Sequence, residues 1–169
     1  LDELLYEVKK LGVCEIANHN SIDQIVVSGN RAAVDELVKK SSDYLIKRAI
    51  MLNVSAPFHC SLMLPAQEKL EEALKEIRFQ PSTVPVICNY TAEPEQMPNM
   101  LKQNIINQVI NKVRWKETME FIKQKNVKNV IECGAGKVLS GLFKRFSDTI
   151  TTYNVEKVSD LKNIKNLFD

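Results

Sequence analysis

Leu52-Asn-Val-Ser-Ala-Pro-Phe-His-Cys-Ser-Leu-Met63 reads as a strand-like apolar run that stops at Pro57 and delivers His59 just ahead of a helix. Pro57 fixes its own φ, removes a donor and biases Ala56 towards extended geometry, so the strand direction ends by Phe58. A helix then begins near Ser61, whose hydroxyl can cap free N–H groups, and Pro65 fits only in its first turn. Beyond it Ala66, Leu70, Ala73, Leu74 and Ile77 share one face at helical spacing, with Glu68, Lys69, Glu71, Glu72 and Lys75 elsewhere. The pattern predicts a buried strand over 49–54, a helix over 61–78 and a histidine at the corner between them. Such a corner is rigid on both sides, which suits a general base. Spacing alone favours the blander role, because a lone histidine ahead of a helix is more often a local hydrogen-bonding residue.

Towards the amino terminus, Leu1, Leu4, Leu5, Val8 and Leu11 recur at helical spacing and Gly12 is placed to stop that helix. Short strands are expected over 13–18 and 24–28, joined by His19-Asn-Ser-Ile-Asp23 and closed by Gly29-Asn30, as a hairpin. Ala33, Val34, Leu37 and Val38 then mark an amphipathic helix from Arg31 to about Lys40. Helix, strand, strand, helix, strand is most of a ferredoxin-like split α/β sandwich, which normally has one further strand before its first helix. That strand would lie upstream of Leu1. A chain that opens in mid-helix without a methionine is expected to be a piece of something longer.

Towards the carboxy terminus, 84–90 reads as a strand that Pro85 pushes to an edge. Helices are expected over 99–110 and 115–124, then a buried strand over 129–132, a glycine turn, a helix over 138–146, a strand over 149–153 and a last helix over 158–167. Alternating strand and helix implies a parallel sheet built from βαβ units. The expected division is a ferredoxin-like region over 1–56, lacking its first strand, and an α/β core over 57–169.

With 169 residues and 44% hydrophobic content, the chain can bury a core. Lys plus Arg number 23 against 21 Asp plus Glu, a net charge of +2, and the charges are interspersed, so nothing calls for nucleic acid or an anionic membrane. Cys14, Cys60, Cys88 and Cys133 lie far apart, with only His19 and His59 to help, so neither a metal site nor a disulfide framework is indicated. Reduced thiols in the cytoplasm, or in an organelle lumen of bacterial origin, are the default. No apolar run approaches ~18 residues, and the first residues are not those of a signal peptide.

Glu132-Cys-Gly-Ala-Gly-Lys-Val-Leu139 follows a strand and opens a helix, but lacks P-loop spacing and the third glycine of a dinucleotide fingerprint. A structural turn is the better reading, although its N–H groups could touch an anion. Lys47-Arg48 reads first as a solvated strand entrance, Asn18 and Asn20 as turn formers, His19 as a loop residue, and Trp115 and Phe121 as core. No Gly-x-Ser-x-Gly occurs, so a histidine base here has no serine of its own to activate.

Taken together, Ile16-Ala-Asn-His-Asn-Ser21, Gln24-Ile-Val-Val-Ser-Gly29, Asn53-Val-Ser-Ala-Pro-Phe-His-Cys-Ser-Leu-Met63, Val113-Arg-Trp115 and Glu132-Cys-Gly-Ala-Gly-Lys-Val-Leu-Ser-Gly-Leu142 resemble the malonyl-CoA:acyl carrier protein transacylases of fatty acid synthesis. The order and spacing agree over nearly the whole chain. Ala56, where the family often has Gly or Val, and Ala135, where it often has Pro, are conservative departures. The resemblance implies part of an α/β-hydrolase-like core with a ferredoxin-like subdomain inserted, here as the carboxy-terminal half without the nucleophile serine, the oxyanion loop or the arginine that holds the malonyl carboxylate. It implies that His59 takes the serine's proton, oriented by a backbone carbonyl at the position of Gln108. It implies further that Asn18, Asn20 and Gln24 contact substrate, that Val54 and Val138 form apolar wall, and that Lys47 and Arg48 meet CoA phosphates or the acidic carrier protein. Malonyl-CoA enters as substrate, acyl carrier protein as partner, and no cofactor is called for. A non-catalytic module that binds CoA or a carrier protein is the alternative.

Overall fold

In the computed structural model, which describes residues 1–167, Asp2–Val8 forms α1 and continues as a single 3-10 turn, Lys9–Leu11. β1 (Cys14–His19) and β2 (Ile25–Gly29) pair antiparallel, Cys14 opposite Gly29 and His19 opposite Ile25, with a register irregularity between Ile16 and Asn18. Gly29 is required there by close approach: a Cβ would come within 2.0 Å of the Val13 carbonyl oxygen. Asn30, a natural helix cap by residue type, instead accepts the Val13 N–H on its Oδ1 at 2.7 Å and seals the hairpin end. α2 (Arg31–Lys40) follows. Leu4, Leu5 and Val8 of α1, Cys14 of β1, and Ala33 and Leu37 of α2 form one buried cluster, so two helices cover one face of the hairpin. Each buried Leu or Val contributes about 1.5–3 kcal/mol of transfer free energy. α1 is held to α2 at the surface as well, because Glu7 accepts from both Lys40 Nζ and the Tyr44 hydroxyl.

The strand expected over 49–54 does not form. Ile50, Leu52 and Val54 are more than half exposed, and the hydrogen bond within this segment is local, Val54 N–H to the Leu52 carbonyl at 3.1 Å. A strand is defined by its ladder, and apolar composition cannot supply the neighbouring edge. The observed first region is therefore α1, β1, β2 and α2 without a third ferredoxin-like strand. α3 (Leu64–Leu74) begins after a 3-10 turn at Ser61–Met63, has Pro65 in its first turn and ends short of Arg78. The strand expected over 84–90 shrinks to β3 (Val86–Ile87), paired antiparallel with β4 (Pro94–Glu95). Pro85 has no N–H to extend it, and the main chain turns back where Ala92 N–H bonds the Cys88 carbonyl at 2.8 Å. α4 (Pro98–Asn107) leads to Val113, which bridges Asn18 in parallel beside the hairpin.

Residues Leu1–Trp115 make one compact unit and Lys116 opens a second. The second contains α5 (Trp115–Gln124, whose first residue closes the first unit), β5 (Asn129–Cys133), α6 (Val138–Phe146) and β6 (Thr151–Val155). β5 and β6 run parallel from Asn129 opposite Thr151 to Cys133 opposite Val155, with α6 as the connection a parallel pair requires. This is the βαβ unit expected from sequence, although β5 is only half-buried. Met119, Leu142, Phe143, Ile150 and Ile164 are buried apolar residues of this second unit. The last predicted helix is instead two 3-10 pieces, Val158–Asn163 and Lys165–Leu167, in a stretch rich in Ser, Asp and Asn, which compete with helical bonding. Residues 168 and 169 of the predicted core region lie outside the described residues.

Candidate active site

Between Pro57 and Ser61 the main chain makes a tight corner. Phe58 N–H bonds the Ala56 carbonyl at 3.0 Å, and Cys60, fully buried, points its Sγ–H at the Pro57 carbonyl at 3.1 Å. His59 itself sits at φ 59, the left-handed region. That conformation costs a side-chain-bearing residue on the order of 1–2 kcal/mol and persists only where neighbours impose it. Ser61 was expected to cap the helix with its hydroxyl. It does the reverse and donates, its N–H to Glu15 Oε2 and its hydroxyl to Glu15 Oε1, both at 2.8 Å.

The His59 ring is held at its other end. Nδ1 lies 2.8 Å from the carbonyl oxygen of Gln108, the acceptor anticipated from sequence. A carbonyl can only accept, so Nδ1 carries a proton, and in the neutral ring Nε2 keeps its lone pair. The carbonyl is available because α4 ends at Asn107, and the last carbonyls of a helix have no intrahelical partner. Side chains take up three of them in sequence: Gln67 Nε2 donates to Ile106 at 3.0 Å, Asn111 Nδ2 to Asn107 at 2.7 Å, and His59 to Gln108. The acceptor is thus neutral but placed at the end of a helix where partial negative charge collects. The Gln108 side chain takes part separately, accepting from Asn89 Nδ2 at 3.4 Å. His59 borders an open cavity of about 940 Å³ together with Tyr6, Glu15, Tyr90, Lys112 and Arg114.

No protein-family model matches the chain. Malonyl CoA-acyl carrier protein transacylase of Salmonella typhimurium is 40% identical over 134 residues, which are 79% of this chain and 43% of that protein. The Staphylococcus aureus enzyme of the same name is 35% identical over 150 residues, 89% of this chain and 49% of its own length. The crystal structure of acyl-carrier-protein-S-malonyltransferase from Bartonella henselae superposes with a TM-score of 0.92 at 37% identity, covering 98% of this chain and 53% of that one. Over 79–89% of its length the chain is similar to malonyl CoA-acyl carrier protein transacylases. It spans about half the length of the relatives it matches.

Of the residues to which this transacylase resemblance gave roles, the structure joins His59 and Gln108 by a hydrogen bond. Among the described residues bordering the His59 cavity, Asn18, Asn20, Gln24, Val54, Lys47 and Arg48 do not occur. Asn18 is half-buried on β1, and Asn20 N–H closes the hairpin turn on the Gln24 carbonyl at 3.0 Å. Lys47 and Arg48 are exposed, Val54 is exposed, and Val138 opens α6 in the second unit with 72% of its surface free. The glycine turn before α6 holds an anion of its own. Glu132 accepts Leu139 N–H at 3.0 Å, Ser140 N–H at 2.8 Å and Asn154 Nδ2 at 2.9 Å, so a carboxylate from β5 occupies the amino end of the helix where a phosphate was considered. Burial pushes this carboxyl up, and the hydrogen bonds from Ser140, Leu139 and Asn154 together outweigh it and hold it below its usual range. Glu15 and Glu132 escaped the sequence reading although each is an acidic residue within a short apolar strand, Cys14-Glu-Ile-Ala17 and Val130-Ile-Glu-Cys133. That pattern was the available signal.

Proposed function

We propose that this chain supplies the proton-transfer half of a malonyl transacylase site, moving a malonyl group from malonyl-CoA to the phosphopantetheine thiol of acyl carrier protein. The observation that carries this reading is the His59 Nδ1 contact with the Gln108 carbonyl, because it leaves Nε2 as the free base. In the proposed cycle Nε2 takes the proton of a serine hydroxyl as the oxygen attacks the thioester carbonyl, then returns it to the departing CoA thiolate. The second half repeats the exchange, with the carrier thiol giving its proton to Nε2 and the serine oxygen taking one back. A carbonyl stabilises the imidazolium less than a carboxylate would, which a good thiolate leaving group tolerates. The serine belongs to the portion of the relatives that this chain does not span. Asn18, Asn20 and Gln24 are assigned to the substrate arm, Val54 and Val138 to apolar wall, and Lys47 and Arg48, exposed and cationic, to CoA phosphate or an acidic carrier surface.

The test is malonyl transfer to a carrier protein with the unspanned portion of a family member supplied in trans. The chain alone is expected to show no transfer and no malonyl adduct on intact-mass analysis. The combination is expected to be active and to lose at least about 100-fold with His59→Ala, in line with one general acid–base group. Covalent malonyl on Ser28, Ser55, Ser61 or Ser140 of the chain alone would overturn the assignment. Binding of CoA or carrier without transfer in the combination would favour a non-catalytic module.

A further inference from the structure

We propose that Glu15 is a positioning residue for His59, fixing the base's main chain from the hairpin through Ser61. The proposal rests on His59 being the base described above. The direction of the ring is set at a backbone whose φ of 59 must be imposed from outside. The bonds of the corner itself, Phe58 to Ala56 and Cys60 to Pro57, are local and move with it. Among the described residues, two sets of hydrogen bonds reach beyond it: the ring's own bond to Gln108 and the Ser61 pair with Glu15, 46 residues away along the chain.

That second tie has the geometry of a clamp. Each carboxylate oxygen of Glu15 takes one Ser61 donor at 2.8 Å, N–H on one and hydroxyl on the other, so the contact fixes Ser61 in rotation as well as in position. Glu15 lies within β1, paired opposite Ser28, between Cys14 at 1% exposure and half-buried Ile16, so its backbone is immobilised by the buried cluster under α1 and α2. His59 therefore stands between one anchor on its ring and one anchor two residues along its backbone. A catalytic ring misplaced by about 1 Å loses about 100-fold in rate. With only the Gln108 bond left, the ring would pivot about Nδ1 and that bond would become intermittent.

A carboxylate on the donors of a helix start would also serve as a plain cap for the turn leading into α3, and the experiment separates the two roles. The reporter is the pair of imidazole nitrogens in the ¹⁵N-labelled chain, combined in trans with the unlabelled unspanned portion of a relative, with His19, the other of its two histidines, as internal reference. The unmodified ring is expected to show one Nδ1–H tautomer. Glu15→Ala is expected to give averaged nitrogen resonances from two tautomers, Ser61→Ala a smaller change, and Glu15→Gln, whose amide can still meet both Ser61 groups, the unmodified pattern. In the transfer assay, Glu15→Ala should lower kcat about 10- to 100-fold with KM little changed, and Glu15→Gln should restore it. A Glu15→Ala ring spectrum identical to the unmodified one, with only α3 loosened in hydrogen exchange, overturns the proposal. If Glu15→Ala does not fold, an unaltered ring in Ser61→Ala overturns it equally. Normal transfer by His59→Ala together with an altered ring in Glu15→Ala would defeat the base assignment and keep the positioning.

Discussion

Leu45 and His59 share nearly the same left-handed backbone, φ 57 and φ 59, for opposite reasons. The His59 side chain is engaged at Gln108, and the corner around it is tied at Ser61. Leu45 has 92% of its surface exposed, so its side chain gains little that offsets the strain. The left-handed region costs a non-glycine residue roughly 1–2 kcal/mol, and glycine gives back roughly 0.5–1 kcal/mol through its freedom in the unfolded chain. Leu45→Gly is expected to raise stability by about 0.5–1 kcal/mol, read as a higher urea midpoint at unchanged slope. A lower midpoint would mean that the leucine is covered by something in solution. The positive φ of His59 had no signal in the residues around it. Pro57 announced a corner, but the hand of the next residue depends on where the ring must reach, and Gln108 is 49 residues further along.

At the level of the element, α6 shows how an internal anion replaces an external one. Glu132 binds the first N–H groups of the helix, and Asn154 of β6 donates to both Glu132 and Ser140 Oγ, the latter at 3.0 Å, so the cap joins both strands to the helix between them. Because its carboxyl is depressed in the folded chain, Glu132 contributes stability that is complete above the ordinary 4.5 and is lost as pH falls through the lower folded value. Glu132→Gln is expected to be the less stable protein at neutral pH, and the gap should close as pH drops below 4.5. Urea unfolding followed by circular dichroism across that range measures it, and a gap that widens towards acid would refute the cap. The boundaries of α6 agreed with the sequence expectation because Val138, Leu139, Leu142, Phe143 and Phe146 hold helical spacing after the glycine turn. The 49–54 strand failed by the same kind of reasoning, since periodicity reports which face is apolar and says nothing about a partner edge.

Across the whole molecule, Ile50, Leu52, Val54, Phe58 and Leu64 expose apolar surface along one short stretch, each at 47% or more. Contiguous exposed apolar surface and unpaired backbone donors invite association. The chain by itself is expected to elute from size-exclusion chromatography as an oligomer or a broad ensemble, with fast hydrogen exchange over 49–58 and slow exchange in β1 and β2. Supplying the unspanned portion of a family member in trans should shift it to a single discrete species. A monomer with protected amides over 49–58 would show that this stretch finds its partner within the chain.

The residues by themselves determined the hairpin, the four longer helices with their approximate ends, the βαβ pair and the kinship with the transacylases, because each of these is written in local spacing or in short runs of neighbouring residues. His59 was identifiable as the residue to follow for the same reason. Only the tertiary structure decided that 49–54 is not a strand, that the strand over 84–90 is cut to Val86–Ile87 and paired with Pro94–Glu95 across a turn at Ala92, and that the anions facing Ser61 and the start of α6 are Glu15 and Glu132. Those outcomes turn on contacts between residues from 4 to 46 positions apart, or on a pairing edge that is or is not present. Hydrogen-bond partners at such separations are chosen by where the packed elements bring the donors, and no local pattern encodes that position.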